Sequence, residues 1–154
     1  MTFAPKVVPL NTLHDHLVAV AHEIAAQLLL AVDESGNIIE AAGAQDDRSM
    51  PTLAALGAAN LAATHEISRL AGLEAAAQWP QTLLIEGKHG AVILVEGAHS
   101  LNFITVLSPN SIIGLARLEM RGLAMIKWLP AQPDRLDQPI EINAEFINQL
   151  DLEF

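Results

Sequence analysis

Apolar positions recur at helical steps from Leu10 to Ile24, where Leu13, Leu17, Val20 and Ile24 are spaced by four, three and four. Asn11 or Thr12 stands where a helix cap is needed, so a first helix is predicted. Gln27 to Val32 is a short β-like run. The cluster Asp33-Glu34-Ser35-Gly36-Asn37 then reads as a turn, and Ile38 to Ala42 resumes as a strand, which together make a hairpin. Ser49-Met50-Pro51 opens a second helix, with Pro51 in the first turn where its missing N–H costs least, and Gly72 stops it after about Ala71. From Gln81 onward the period becomes extended. Thr82 to Glu86, Ala91 to Glu96 and Leu101 to Leu107 are separated by Gly87-Lys88-His89-Gly90 and by Gly97-Ala98-His99-Ser100, which predicts three consecutive antiparallel strands. Ser108-Pro109-Asn110-Ser111 then caps a third helix, whose inner face is read as Ile112, Leu115, Leu118, Gly122, Met125 and Leu129. The order helix-strand-strand-helix-strand-strand-strand-helix predicts an α+β fold, a five-stranded antiparallel sheet flanked by helices.

The pattern changes after Leu129. Pro130, Pro133 and Pro139 forbid a regular helix over 130–139. Beyond them, Asn143 to Phe154 places Phe146, Ile147, Leu150 and Phe154 at helical spacing among acids. The expected organisation is a domain over 1–129, followed by a proline-containing linker and acidic amphipathic tail over 130–154. Of the formal net charge of −10, about half falls in that tail. Such a charge repels nucleic-acid backbones and anionic membranes, so neither is an expected partner. Hydrophobic residues make up 51% of the 154-residue chain but aromatic ones only 4%, which predicts a core closed by alanine and aliphatic side chains rather than rings. There is no cysteine, hence no disulfide, thiolate metal site or thiol nucleophile. His22, Glu23 and Gln27 interrupt the apolar stretch from Leu17 to Val32, which is read as neither signal peptide nor membrane span. A soluble, cytoplasmic protein is expected.

Several of these signatures together resemble the roadblock/dynein light chain family. They are the first hairpin, Leu28 to Gly43, with Asp33 and Gly36 flanking its turn; the alanine-rich helix Leu53 to Leu70; the strand series from Gln81; and the third helix with Ser111-Ile112-Ile113-Gly114-Leu115-Ala116-Arg117. The likeness covers about Leu10 to Leu129. It implies a profilin-like sheet and a dimeric module that regulates Ras-like small GTPases, closest to the prokaryotic branch, in which such dimers stimulate hydrolysis without donating a catalytic residue. The dynein and lysosomal branches imply the alternative, a structural adaptor with no effect on nucleotide turnover.

The second helix is the most informative element. Leu53, Leu56, Ala63, Ile67 and Leu70 read as the stripe that covers the chain's own sheet. Rotated from it lie Ala55, Ala58, Ala62, His65 and Arg69, with Ala54, Gly57 and Leu61 adjoining, a small and weakly polar second face. Alanine fills a bland solvent face equally well, being the best helix former. With the resemblance included, the preferred reading is close approach of a second copy or a paralogue through Ala55, Ala58, Ala62 and His65. Ala54, Leu61, Arg69 and the loop residue Arg48 then form a platform for the GTPase. The short apolar run around Leu84 offers an edge strand as a second route to dimerisation.

Motifs for chemistry are sparse. Gly87-Lys88-His89 lacks the preceding glycine and following Ser or Thr of a phosphate loop, and no nucleophile elbow exists. His14-Asp15-His16 points its side chains in different directions on a helix, so no metal is assigned. His65-Glu66 lacks the zincin spacing. Neither enzyme activity nor a cofactor is expected. The tail has two open readings, a solubilising extension and a tethered peptide that docks on its own dimer or on the GTPase.

Overall fold

A computed structural model describes residues 6–43, 48–73, 80–97 and 100–129. The linker and tail expected over 130–154 lie outside these, as does His99. The described elements are β1 (Val7–Pro9), a 3-10 turn (Leu10–Thr12), α1 (Leu13–Glu23), β2 (Ala26–Val32), β3 (Ile38–Gly43), α2 (Met50–Leu70), β4 (Thr82–Gly87), β5 (Gly90–Val95), β6 (Asn102–Leu107), α3 (Ile113–Met125) and β7 (Lys127–Leu129).

Strands β2 to β6 form a five-stranded sheet in the order β3-β2-β6-β5-β4, with every neighbouring pair antiparallel. The α+β expectation therefore holds. Alternation along the central strands splits the core in two. Leu29, Ala31, Ile93 and Phe103 face α1 and α3, where Leu13, Leu17, Met120 and Leu123 meet them. Leu28, Leu30, Leu94 and Ile104 face the other way, toward Ala54 and Leu61 of α2. The fold is a three-layer sandwich, with two helices on one face and one on the other.

Several local expectations need correction. The third helix stops at Met125 instead of reaching Leu129, because Lys127–Leu129 pairs in parallel with Val7–Pro9 and buries Trp128 in the α1/α3 layer. The hydroxyls expected to cap helices bond elsewhere. Thr12 Oγ1 donates to the Pro9 carbonyl at 2.7 Å, and Ser111 Oγ donates to the Ala25 carbonyl at 3.0 Å, tying the start of α3 to the end of α1.

The largest correction concerns which helix faces look inward. On α2 the buried residues are Ala54, Gly57, Ala58, Leu61 and Ser68, while Leu56, Ile67 and Leu70 are 58%, 64% and 73% exposed. Close approach is the reason. A Cβ on Gly57 would fall 2.3 Å from Ile104 Cδ1 and one on Gly36 would fall 2.9 Å from the Ala55 Cα, so α2 lies directly on the sheet and on the β2–β3 turn. The sheet's leucines and isoleucines supply the bulk, and the helix fits them only with small residues at dense packing. On α3, likewise, Ala116, Met120, Leu123 and Ala124 are buried, whereas Ile112, Leu118 and Met125 are exposed.

Candidate partner-binding surface

With 3.6 residues per turn, α2 presents Leu56, Asn60, Ala63, Ile67 and Leu70 at steps of four, three, four and three, on the side opposite Ala54 and Leu61. This is the spacing of a two-helix seam. Its apolar members would cover the sheet if the helix were rotated by half a turn; here they face outward. The Asn60 amide donates to the Leu56 carbonyl at 2.9 Å, placing a polar group near the middle of the stripe.

The structure separates the residues predicted for the surface. Ala54, Ala58 and Leu61 are buried beneath α2 against the chain's own sheet, so none of the three offers a side chain to a flat helical partner. Ala55, Ala62 and Arg69 lie exposed on one flank of the helix. His65 is exposed at the rim, its Nδ1 3.3 Å from Glu96 Oε2 beyond the end of β5. Arg69 is an intrahelical partner of Glu66. Its Nε donates to Glu66 Oε2 at 3.0 Å and a terminal nitrogen donates to Oε1, which lowers the Glu66 carboxyl and raises the guanidinium. Arg48 sits in the turn just before α2. Leu84 packs inward against the α1/α3 layer, so β4 presents backbone rather than that side chain at the edge of the sheet.

Between the flank of α2 and the ends of β5 and β6 lies an open concavity of about 290 Å³, with Ala58, Leu61 and Ala62 as apolar lining and Glu34, His65, Glu96 and Asn102 as polar lining. Asn102 is held from below by the Gly97 N–H, which donates to its Oδ1 at 3.2 Å. The adjoining β2–β3 turn is stiff. Asp33 accepts from the Ser35 and Asn37 backbone and, through Oδ2, from the Asn37 side chain; the Asn37 side-chain bond leads in holding its carboxyl below the ordinary value. A second concavity of about 310 Å³, around Lys88, Ser108 and Ser111, is mostly polar and open. Among the described residues no three His, Asp or Glu side chains come together as metal ligands, and no helix is long and apolar enough to cross a membrane.

No family model matches the sequence, and no curated protein matches it significantly. Solved structures do match. MglB of Myxococcus xanthus superposes with a TM-score of 0.65 at 20% identity, over 75% of this chain and 90% of that one. The gliding protein MglB from Thermus thermophilus gives 0.63 at 20% identity, over 81% and 95%. A Roadblock/LC7 domain from Streptomyces avermitilis gives 0.56 at 12% identity, over 72% and 90%. The chain has a roadblock-type fold. The match covers nine-tenths or more of the length of each of these three structures. Of the α2 residues predicted to face outward, Ala55, Ala62, His65 and Arg69 are exposed and Ala54, Ala58 and Leu61 are buried. The signal that identifies the face is the glycine among the alanines: Gly57 marks the side on which the backbone approaches the sheet.

Proposed function

We propose that this chain is a non-catalytic regulator that self-associates through α2 and binds a Ras-like small GTPase, altering its GTP hydrolysis. The observation that carries the reading is the outward stripe of α2, in which three large aliphatic side chains, Leu56, Ile67 and Leu70, stand more than half exposed at seam spacing. An α2 that packs against its copy covers them, and Asn60 fixes the register of the pair. The fold shared with MglB supports this reading, and one solved MglB structure is described as having a tetrameric arrangement. Among the described strands, β3 and β4 are the sheet edges, and they allow strand addition across the pair.

The flank of α2 supplies the partner surface. Ala62 and His65 line the concavity with Glu34 and Glu96, which presents acids around an apolar floor; Ala55 and Arg69 are exposed on the same flank, and Arg48 stands at the head of the helix. This arrangement suits a protein surface carrying a basic side chain. It acts on hydrolysis by holding the GTPase's own residues in place, a population shift driven by differential binding. The test is GTP turnover by a small GTPase from the same organism, with and without the chain. A saturable change supports regulation; a stable complex with unchanged turnover makes the chain an adaptor; the absence of a complex removes the GTPase from the account.

A further inference from the structure

α3 carries a second outward apolar face, separate from the α2 surface and on the opposite side of the sheet. Gly114, Leu118, Gly122 and Met125 are spaced at steps of four, four and three, facing away from Ala116, Met120 and Leu123. Leu118 is 64% and Met125 40% exposed. A Cβ on Gly114 or Gly122 would meet nothing within 4 Å. Each glycine costs the helix about 1 kcal/mol relative to alanine, without a close contact inside the described chain to require it.

Positive charge borders one side of this face, while Glu119 lies on the other. Arg117 and Arg121 lie one turn apart on α3, Lys127 comes next in β7, and the Lys127 N–H donates to the Lys6 carbonyl at 2.8 Å. These four are half of the eight Lys and Arg in a chain of net charge −10. The described residues end at Leu129, four residues after Met125. The C-terminal segment is complementary to it in chemistry: Phe146, Ile147, Leu150 and Phe154 stand at helical spacing, with Glu145 just before them and Asp151 and Glu153 between them.

We infer that residues 143–154 dock on the outward face of α3 in the same chain. The lengths agree. The thirteen residues of α3 extend about 20 Å and twelve residues of helix about 18 Å at 1.5 Å per residue. The thirteen residues 130–142, with three prolines, reach about 40 Å at ~3.1 Å per residue, enough to return along the whole helix. Tethering at this length gives the segment a millimolar effective concentration, which favours its own α3 over a second copy or a foreign protein. Leu118 and Met125 receive the aromatic and aliphatic side chains, the two glycines admit them closely, and Arg117 and Lys127 meet the acids. The docking leaves α2 uncovered and does not depend on the GTPase reading.

The absence of cysteine allows a direct test in the full chain. In Leu118→Cys/Leu150→Cys, oxidation should close an intramolecular disulfide at monomer mass at least about tenfold faster than in Ser35→Cys/Leu150→Cys, whose first cysteine stands exposed on the β2–β3 turn beside α2. Equal rates overturn the proposal, and so does a product linking two chains, which would place the segment on a second copy. Hydrogen exchange provides the second readout. Amides of 143–154 should exchange about tenfold faster in the full-length Leu118→Asp variant than in the wild type, and indistinguishable rates refute docking.

Discussion

Replacing Ile67 by alanine separates the two faces of α2 more cleanly than any other single change. Ile67 is 64% exposed and contributes little to the core, so the stability of the isolated subunit should shift by less than about 0.5 kcal/mol. In a twofold contact the same side chain is buried twice. Completing the burial of an isoleucine that is already one-third covered is worth about 1–2 kcal/mol, so the variant loses about 2–4 kcal/mol of association, a 30- to 1,000-fold rise in dimer Kd. Leu61, 2% exposed on the inner face, should behave in the opposite way: Leu61→Ala costs about 2–5 kcal/mol of subunit stability through its cavity. Sedimentation over a wide concentration range reads the association, and urea unfolding at a concentration where the subunit is monomeric reads the stability. A dimer Kd for Ile67→Ala within about threefold of wild type would refute the assignment of the outward stripe to self-association.

Three further outcomes are expected from the same geometry. Gly57→Ala should destabilise the domain by up to about 2 kcal/mol in urea unfolding, because the new Cβ falls 2.3 Å from Ile104 Cδ1 and forces that buried side chain to move, an overpacking cost of about 1–3 kcal/mol offset by about 1 kcal/mol of helix propensity. Asp33 and Glu66 both titrate below their ordinary values of 3.8 and 4.5 in the folded chain, so their stabilisation is present at neutral pH and disappears as acid protonates the folded carboxylates. The decline of the urea midpoint from about pH 5 to about pH 3 should therefore be shallower in Asp33→Ala/Glu66→Gln than in wild type, and an equal slope would contradict the assignment. Arg48→Ala should leave stimulated GTP hydrolysis within about threefold, since the GTPase's own residues carry the chemistry; a loss of about a thousandfold would instead identify an arginine supplied in trans.

Much of the fold is legible in local chemistry. Asp33 to Asn37 announces the first hairpin because its carboxylate, amide and positive-φ glycine can do little except turn the chain. The three later strands are announced by apolar runs between glycine-containing connections. The pairing of Val7–Pro9 with Lys127–Leu129 was not legible, since three-residue strands joined across nearly the whole domain leave no periodicity to read. Nor was the rotation of α2 and α3. A rule that sends the largest apolar residues inward places Leu56, Ile67, Leu70, Leu118 and Met125 in the core, and all five are exposed. The rule fails where a helix lies tightly on a sheet already filled by leucine and isoleucine, because there small residues such as Ala54, Gly57 and Ala58, or Ala116 and Ala124, fill much of the inner face beside Leu61, Met120 and Leu123, and other large apolar side chains remain outside. Alanine itself is divided: on α2 Ala54 and Ala58 are buried, while Ala55, Ala59, Ala62 and Ala63 are exposed.

The functional account joins self-association to control of a GTPase, and one measurement tests that joint claim. Single-turnover GTP hydrolysis by a small GTPase from the same organism is monitored while the chain is titrated over a wide concentration range, alongside Ile67→Arg, whose change at a 64% exposed position should leave the subunit folded, checked by its urea midpoint, and its outward stripe unpaired, checked by sedimentation. The account predicts that the change in rate tracks the dimer concentration and vanishes in Ile67→Arg. An equal effect from the monomeric variant, or no effect from the wild-type dimer, would contradict it.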